Sequence, residues 1–162
     1  MAGNITAKYG TDNQTITITI ASLTNNSARE STVIDNTSNL FLDALVMVKI
    51  KSAAASTSAT GYVNVYAYGT TDTTTPSYSD TATGTDAAIT LTSPPNVKLI
   101  GTLNVVANAT TYKGGPFSVA AAFGGVLPEK WGIIIENKTG ATLDSTAGNH
   151  FAIYQGVEAQ YT

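Results

Sequence analysis

Asp144, Ser145 and His150 bring a carboxylate, a hydroxyl and an imidazole into one short stretch, the group types of nucleophilic acyl transfer. Such a triad is defined by geometry, and no Gly-x-Ser-x-Gly nucleophile turn accompanies these residues. His150 is the single histidine, and the alternating run that follows predicts that it opens the last strand. Asp72, Asp80 and Asp86 share one loop and are the ligand type calcium takes. Their spacing lacks the alternating carboxylates and central glycine of a calcium loop, so solvated loop acids are expected. Gly10, Gly101 and Gly114-Gly115 form no phosphate-binding fingerprint. Gly114-Gly115-Pro116 predicts a tight turn, and Gly101 inside a strand predicts a bulge or a close backbone contact. The chain has no cysteine, which removes thiol catalysis, disulfides and cysteine-ligated zinc. No catalytic residue, cofactor or metal is expected.

Tyrosines supply the one other cluster. In Gly61–Gly69, Tyr62, Asn64, Tyr66 and Tyr68 alternate with Val63, Val65 and Ala67. Tyrosine rings can cover a second layer of the fold, anchor a protein interface, or stack on sugar rings. The following stretch, 70–87, is threonine-rich and almost free of aliphatic residues. Loops of this length are usually functional or disordered, so it reads either as a solvated loop or as an arm that orders against a neighbouring subunit. The candidate interface residues are therefore Tyr62, Tyr66 and Tyr68 from the strand, with Thr73, Tyr78 and Asp80 from the loop.

The elements that must position these groups are strands. Thr15–Ile20 alternates strictly, with one isoleucine face and one threonine face. Leu42, Ala44, Val46, Val48 and Ile50 form a second alternating set. Its opposite face starts with Phe41, Leu45 and Met47 and ends in Lys49 and Lys51, which predicts a strand that begins buried on both sides. Helical spacing of Phe41, Ala44, Leu45 and Val48 also exists, but the β-branched residues favour a strand. Ile89–Thr92 is a short strand. Val97, Leu99, Gly101, Leu103 and Val105 line one face of a longer one. Trp131–Glu136 is apolar on both faces, as a central strand should be. In the last run Phe151, Ile153, Val157, Ala159 and Tyr161 are expected to point inward, with Gln155 dissonant.

Turn residues separate these runs, and a single short helix is expected within 117–123, stopped by Gly124-Gly125. The fold class is thus all-β: one antiparallel β-sandwich or jelly roll of about seven or eight strands, forming a single domain over residues 1–162. Residues 1–14 are a candidate N-terminal arm.

Charge narrows the function. Only 12% of the 162 residues are charged, and the net charge is −3. Without a cluster of cations, nucleic-acid binding is not expected. No apolar run is long enough to span a bilayer, and the N-terminus lacks a signal-peptide core, so synthesis in a cytoplasm is expected. The surface must be built largely from uncharged residues, among them 27 threonines. Such a surface is short of the lysines that guard exposed sheet edges, and it reads either as that of an ordinary threonine-rich β domain or as one that other subunits largely cover.

Three stretches carry a family resemblance: Asn36–Leu45 (NTSNLFLDAL), Gly61–Gly69 (GYVNVYAYG) and Leu127–Gly140 (LPEKWGIIIENKTG). Their texture, which extends from about Gln14 to the end, resembles the small β-sandwich virion proteins of tailed bacteriophages that decorate capsids. The resemblance implies a non-enzymatic capsid decoration (cement) protein on the outside of the head, made in the host cytoplasm and located in the virion. Its implied partners are the major capsid protein and sister copies, with a trimer suiting a three-fold site. A tail, adaptor or receptor-binding module is the other role within the same texture, and there the tyrosine face would recognise a host glycan.

Overall fold

A computed structural model describes residues 3–162. Its strands are β1 (Ile5–Tyr9), β2 (Gln14–Thr15), β3 (Ala28–Glu30), β4 (Ile34–Asp35), β5 (Asp43–Lys51), β6 (Tyr62–Thr70), β7 (Ala87–Ile89), β8 (Lys98–Asn104), β9 (Thr111–Ser118), β10 (Lys130–Lys138) and β11 (Phe151–Tyr161). They form two antiparallel sheets packed as a sandwich. The first has the order β1-β11-β5-β9, with β2 also on β11; the second has β7-β3-β10-β6-β8, with β4 also on β10. Eleven strands among the described residues exceed the expected seven or eight because β2, β3, β4 and β7 are only two or three residues long. Short 3-10 helices occur at Ala120–Phe123, capped by left-handed Gly124, and at Ala147–Asn149.

The core lies between the sheets. Ala44, Val46, Val48 and Ile50 of β5 face Val63, Val65 and Ala67 of β6 and Trp131, Ile133 and Ile135 of β10. Each buried aliphatic side chain of this kind contributes about 1.5–3 kcal/mol. Trp131 meets Tyr154 edge-on at 5.2 Å between ring centres, tying β10 to β11. A second apolar cluster covers the far side of the second sheet: Tyr66, Tyr68, Ile134, Ala28, Ile89 and Val97, with Tyr78, Ala82 and Leu91 packed on it. The central strand β10 is therefore buried on both faces, as its sequence predicts.

Several expectations are corrected. The Thr15–Ile20 segment keeps its alternation, with Ile16 and Ile20 buried and the threonines exposed, but only Gln14–Thr15 is ladder-paired. Ile16 N–H donates to Ala152 O in the first sheet, while Thr17 O accepts from Thr32 N–H beside the second. The segment crosses the flank of the sandwich, so neither sheet can pair its full length. In β8 the predicted face breaks at a bulge where Ile100 is the extra residue: Leu103 and Val105 reach the core, but Leu99 is exposed. Gly101 sits at this bulge, and a Cβ there would lie 2.3 Å from the Phe117 ring. Gly114-Gly115-Pro116 is no turn: it lies inside β9 at a register shift opposite Val46–Val48, with Gly115 at φ 113°.

The last strand is inverted relative to expectation. Ala152, Tyr154 and Gly156 face inward and are buried, whereas Phe151, Ile153, Gln155 and Val157 are half-buried on the outer side and Ala159 and Tyr161 are exposed. The register is set by the inner partners. Tyr154 packs on Trp131, and Phe41 lies over Gly156 so closely that a Cβ would be 2.5 Å from its ring. A bulky residue could not take that place.

Candidate interaction surface

His150 packs at the mouth of β11 without forming a triad. Its ring engages the backbone carbonyl of Asp144 through Nε2 at 2.8 Å, and Nδ1 faces Lys51 N–H at 3.4 Å. The Asp144 carboxylate is turned away: Oδ1 accepts from Asn149 Nδ2 and Thr146 N–H, and Lys51 Nζ lies 3.5 Å from Oδ2. These bonds, Asn149 first, hold the carboxyl down at about 2. Ser145 is exposed and makes no hydrogen bond with the imidazole. The loop acids are also separated by their own bonds. Asp72 caps Thr74 and Thr75 N–H, Asp80 takes Thr92 and Asn96, and Asp86 takes Thr19 and Arg29. Among the described residues no group of three His, Cys, Asp or Glu side chains could hold a metal ion.

The tyrosine strand is largely covered. Tyr68 is fully buried, its Oη donating to Ser31 O at 2.7 Å, and Tyr66 is 7% exposed. Tyr62, at the end of β6, is the exposed member. Tyr66 Oη donates to Glu136 Oε2 at 3.0 Å, and Asn64 Nδ2 donates to both. Burial, reinforced by the Glu136 carboxylate, pushes Tyr66 up to about 12. Burial acts to raise Glu136 as well, but hydrogen bonds from Asn64, Lys138 and Tyr66 outweigh it and keep the carboxyl below its usual range. A groove of about 470 Å³ runs beside this cluster, between Tyr66, Glu136, Lys138, Ile89 and Pro95.

The cover is the threonine-rich loop. Tyr78 stands edge-on to Tyr68 at 5.4 Å, Lys130 Nζ donates to Thr73 O at 3.0 Å, and Asp80 fastens the loop to Thr92 and Asn96. Buried Glu30, 1% exposed, accepts from Thr83 N–H, Thr83 Oγ1 and Gly84 N–H. The candidate interface of Tyr62, Tyr66, Tyr68, Thr73, Tyr78 and Asp80 is thus mostly an internal contact, in which the loop orders against its own sheet.

The open surface lies on the other sheet. The inversion of β11 places Ile153 and Val157 outward beside Leu45 and Met47 of β5, all half-buried. A shallow hollow of about 300 Å³ lies among Leu45, Met47, Pro116 and Ile153, with Asp12, Asn13 and Gln155 on its polar side. Beyond Asp43, β5 ends, and β1 with Val157–Tyr161 continues as a two-stranded ribbon. On the same face this ribbon carries Tyr9 opposite Val157, Ala7 opposite Ala159 and Ile5 opposite Tyr161. Ile5, Tyr9 and Tyr161 are 77%, 62% and 74% exposed. The candidate N-terminal arm is therefore a paired strand; its first two residues lie outside the described residues. At the opposite end of the face, Lys49 stands directly across from Lys113. Lys49 Nζ sits 4.9 Å above the Phe151 ring and donates to Gly148 O.

Sequence reasoning did not assign this face to solvent. Its signal was the second apolar side of β5, Leu45 and Met47, which reads equally as burial or as a docking surface. No protein-family model matches the chain, and no curated protein matches it. Fold and surface define an all-β sandwich in which the threonine-rich loop covers part of one sheet's outer side, while the outer side of the other carries half-buried apolar residues among polar ones.

Proposed function

We propose that this chain is a non-enzymatic virion structural protein of a tailed phage, a capsid decoration protein that seats the outer face of its first sheet on the head. The observation that carries the reading is that face, where Leu45, Met47, Ile153 and Val157 are half-buried on either side of Gln155 and the ribbon beyond them exposes Ile5, Tyr9 and Tyr161. Exposed apolar side chains grouped at one end of a small β domain mark a contact with another molecule. The resemblance noted in the sequence supplies the setting, and the low charge and net −3 suit an outer shell surface rather than one facing packaged DNA. The partners are the major capsid protein and sister copies. Bound copies bridge neighbouring capsid subunits and stabilise the assembled shell by mass action.

Rebinding to particles that lack the protein tests the surface. M47K and I153K each place a charge on that face while leaving the core side of the strands intact. Both are expected to lower occupancy at least tenfold with unchanged circular dichroism, while Tyr62→Ala on the other sheet retains it. Wild-type occupancy by M47K and I153K would overturn the reading.

A further inference from the structure

The outermost strands of the two sheets are β1 and β9 in the first, β7 and β8 in the second. Unpaired edges template pairing with other chains and are normally guarded by bulges, proline, charge or shortness. β9 carries a register shift, Pro116 and Lys113, and β8 carries a bulge and Lys98. These two edges also close on one another, with Phe117 over Gly101 and Leu103 over Gly114. β7 is three residues long. β1 has no bulge and no proline, and one lysine as its only guard. Its pairing with β11 is continuous from Ile5 to Tyr9, and all five of its residues are exposed. Its single charge, Lys8, is paired with Glu158 at 2.7 Å.

The direction of its free groups follows from the ladder. Asn4 and Thr162 exchange both backbone hydrogen bonds, and Gly10 N–H donates to Gly156 O. Antiparallel alternation then turns Thr6 and Lys8 toward β11 and leaves the N–H and C=O groups of Ile5, Ala7 and Tyr9 on the open edge. We infer that β1 pairs edge to edge with β1 of a second copy, antiparallel about a two-fold axis at Ala7.

In that register Ile5 lies opposite Tyr9 of the second copy, Ala7 opposite Ala7, and Lys8 opposite Thr6. The paired residues are the ones whose backbone groups are free, so each opposed pair exchanges both hydrogen bonds. Aromatic with β-branched is a favourable cross-strand pair, and no like charges meet. The outer face continues across both copies, so this contact leaves it open to the shell. It names the sister-copy contact within the proposed assembly role and rests on that reading for its setting.

Light scattering with size-exclusion chromatography on the full chain tests it. The wild type is expected at twice the 16.7 kDa chain mass. Ala7→Pro removes an outward N–H that the monomer does not use, a position where an edge strand tolerates proline, and is expected to return the mass to that of one chain. The double variant I5K/Y9K opposes lysines and should also be monomeric, whereas I5K/Y9E opposes lysine to glutamate and should restore the dimer. A wild type that is monomeric at its highest soluble concentration, an A7P variant that stays dimeric, or failure of I5K/Y9E to restore the dimer would overturn the inference. A dimer broken by A7P in a protein absent from virions would leave the pairing standing and the assembly reading refuted. A virion protein whose wild-type chain is monomeric would do the reverse.

Discussion

Protonating His150 removes a hydrogen bond, because Nε2–H already serves the Asp144 carbonyl and Nδ1 faces Lys51 N–H as an acceptor. Burial penalises the charged ring and, with Lys49 and Lys51 nearby, outweighs the opposing pull of Asp144, so its pKa lies below the ordinary value of 6.5. A group depressed on folding contributes its full stability above the unfolded value and loses it as pH falls. The thermal midpoint should therefore decline by a few degrees between about pH 7 and about pH 5. His150→Gln should flatten that slope, and an equal slope in the variant would exclude the assignment. Asp144 acts in a separate window: its carboxyl is held at about 2, so its contribution fades only as pH falls from 3.8 toward that value. The place of His150 before the last strand was legible from the alternation behind it. Its partner was not, since sequence proximity does not distinguish a carboxylate from its own backbone carbonyl.

At the scale of elements, the loop between β6 and β7 is held by a buried charge. Glu30 gathers two backbone N–H groups and a hydroxyl from Thr83 and Gly84, and hydrogen bonds to charge are worth about 1.5–3 kcal/mol each. Glu30→Gln keeps the shape but removes the charge and one acceptor. Proteolysis is expected to cut within 71–86 many times faster in this variant while the two sheets stay intact; equal cleavage rates would show that the loop is held elsewhere. Threonine-rich composition could not reveal this, because the pinning residue lies far upstream in β3. The faces of β6 and β10 were legible, as their valines, isoleucines and aromatics alternate without conflict. β11 was not: both of its faces carry apolar residues, and Gly156 is inward because the Phe41 ring needs the space. A period of two gives the alternation but not its sign.

For the whole molecule, the low charge acquires a structural meaning. One sheet packs on the core with one side, and its own loop covers Tyr66, Tyr68 and Ile134 on the other. The other seals the core and presents Leu45, Met47, Ile153 and the ribbon outward. The all-β sandwich was legible in the sequence, whereas the choice of open face was decided by which sheet the loop covers. An uncovered apolar sheet face is unfavourable for a free monomer and useful to a subunit with a permanent neighbour. Gold-labelled antibody against this chain, viewed by electron microscopy on intact particles of the phage that the proposed function requires, tests that proposal most directly. Label spread over the head is the predicted result; label confined to the tail, or absent from every particle, would contradict it.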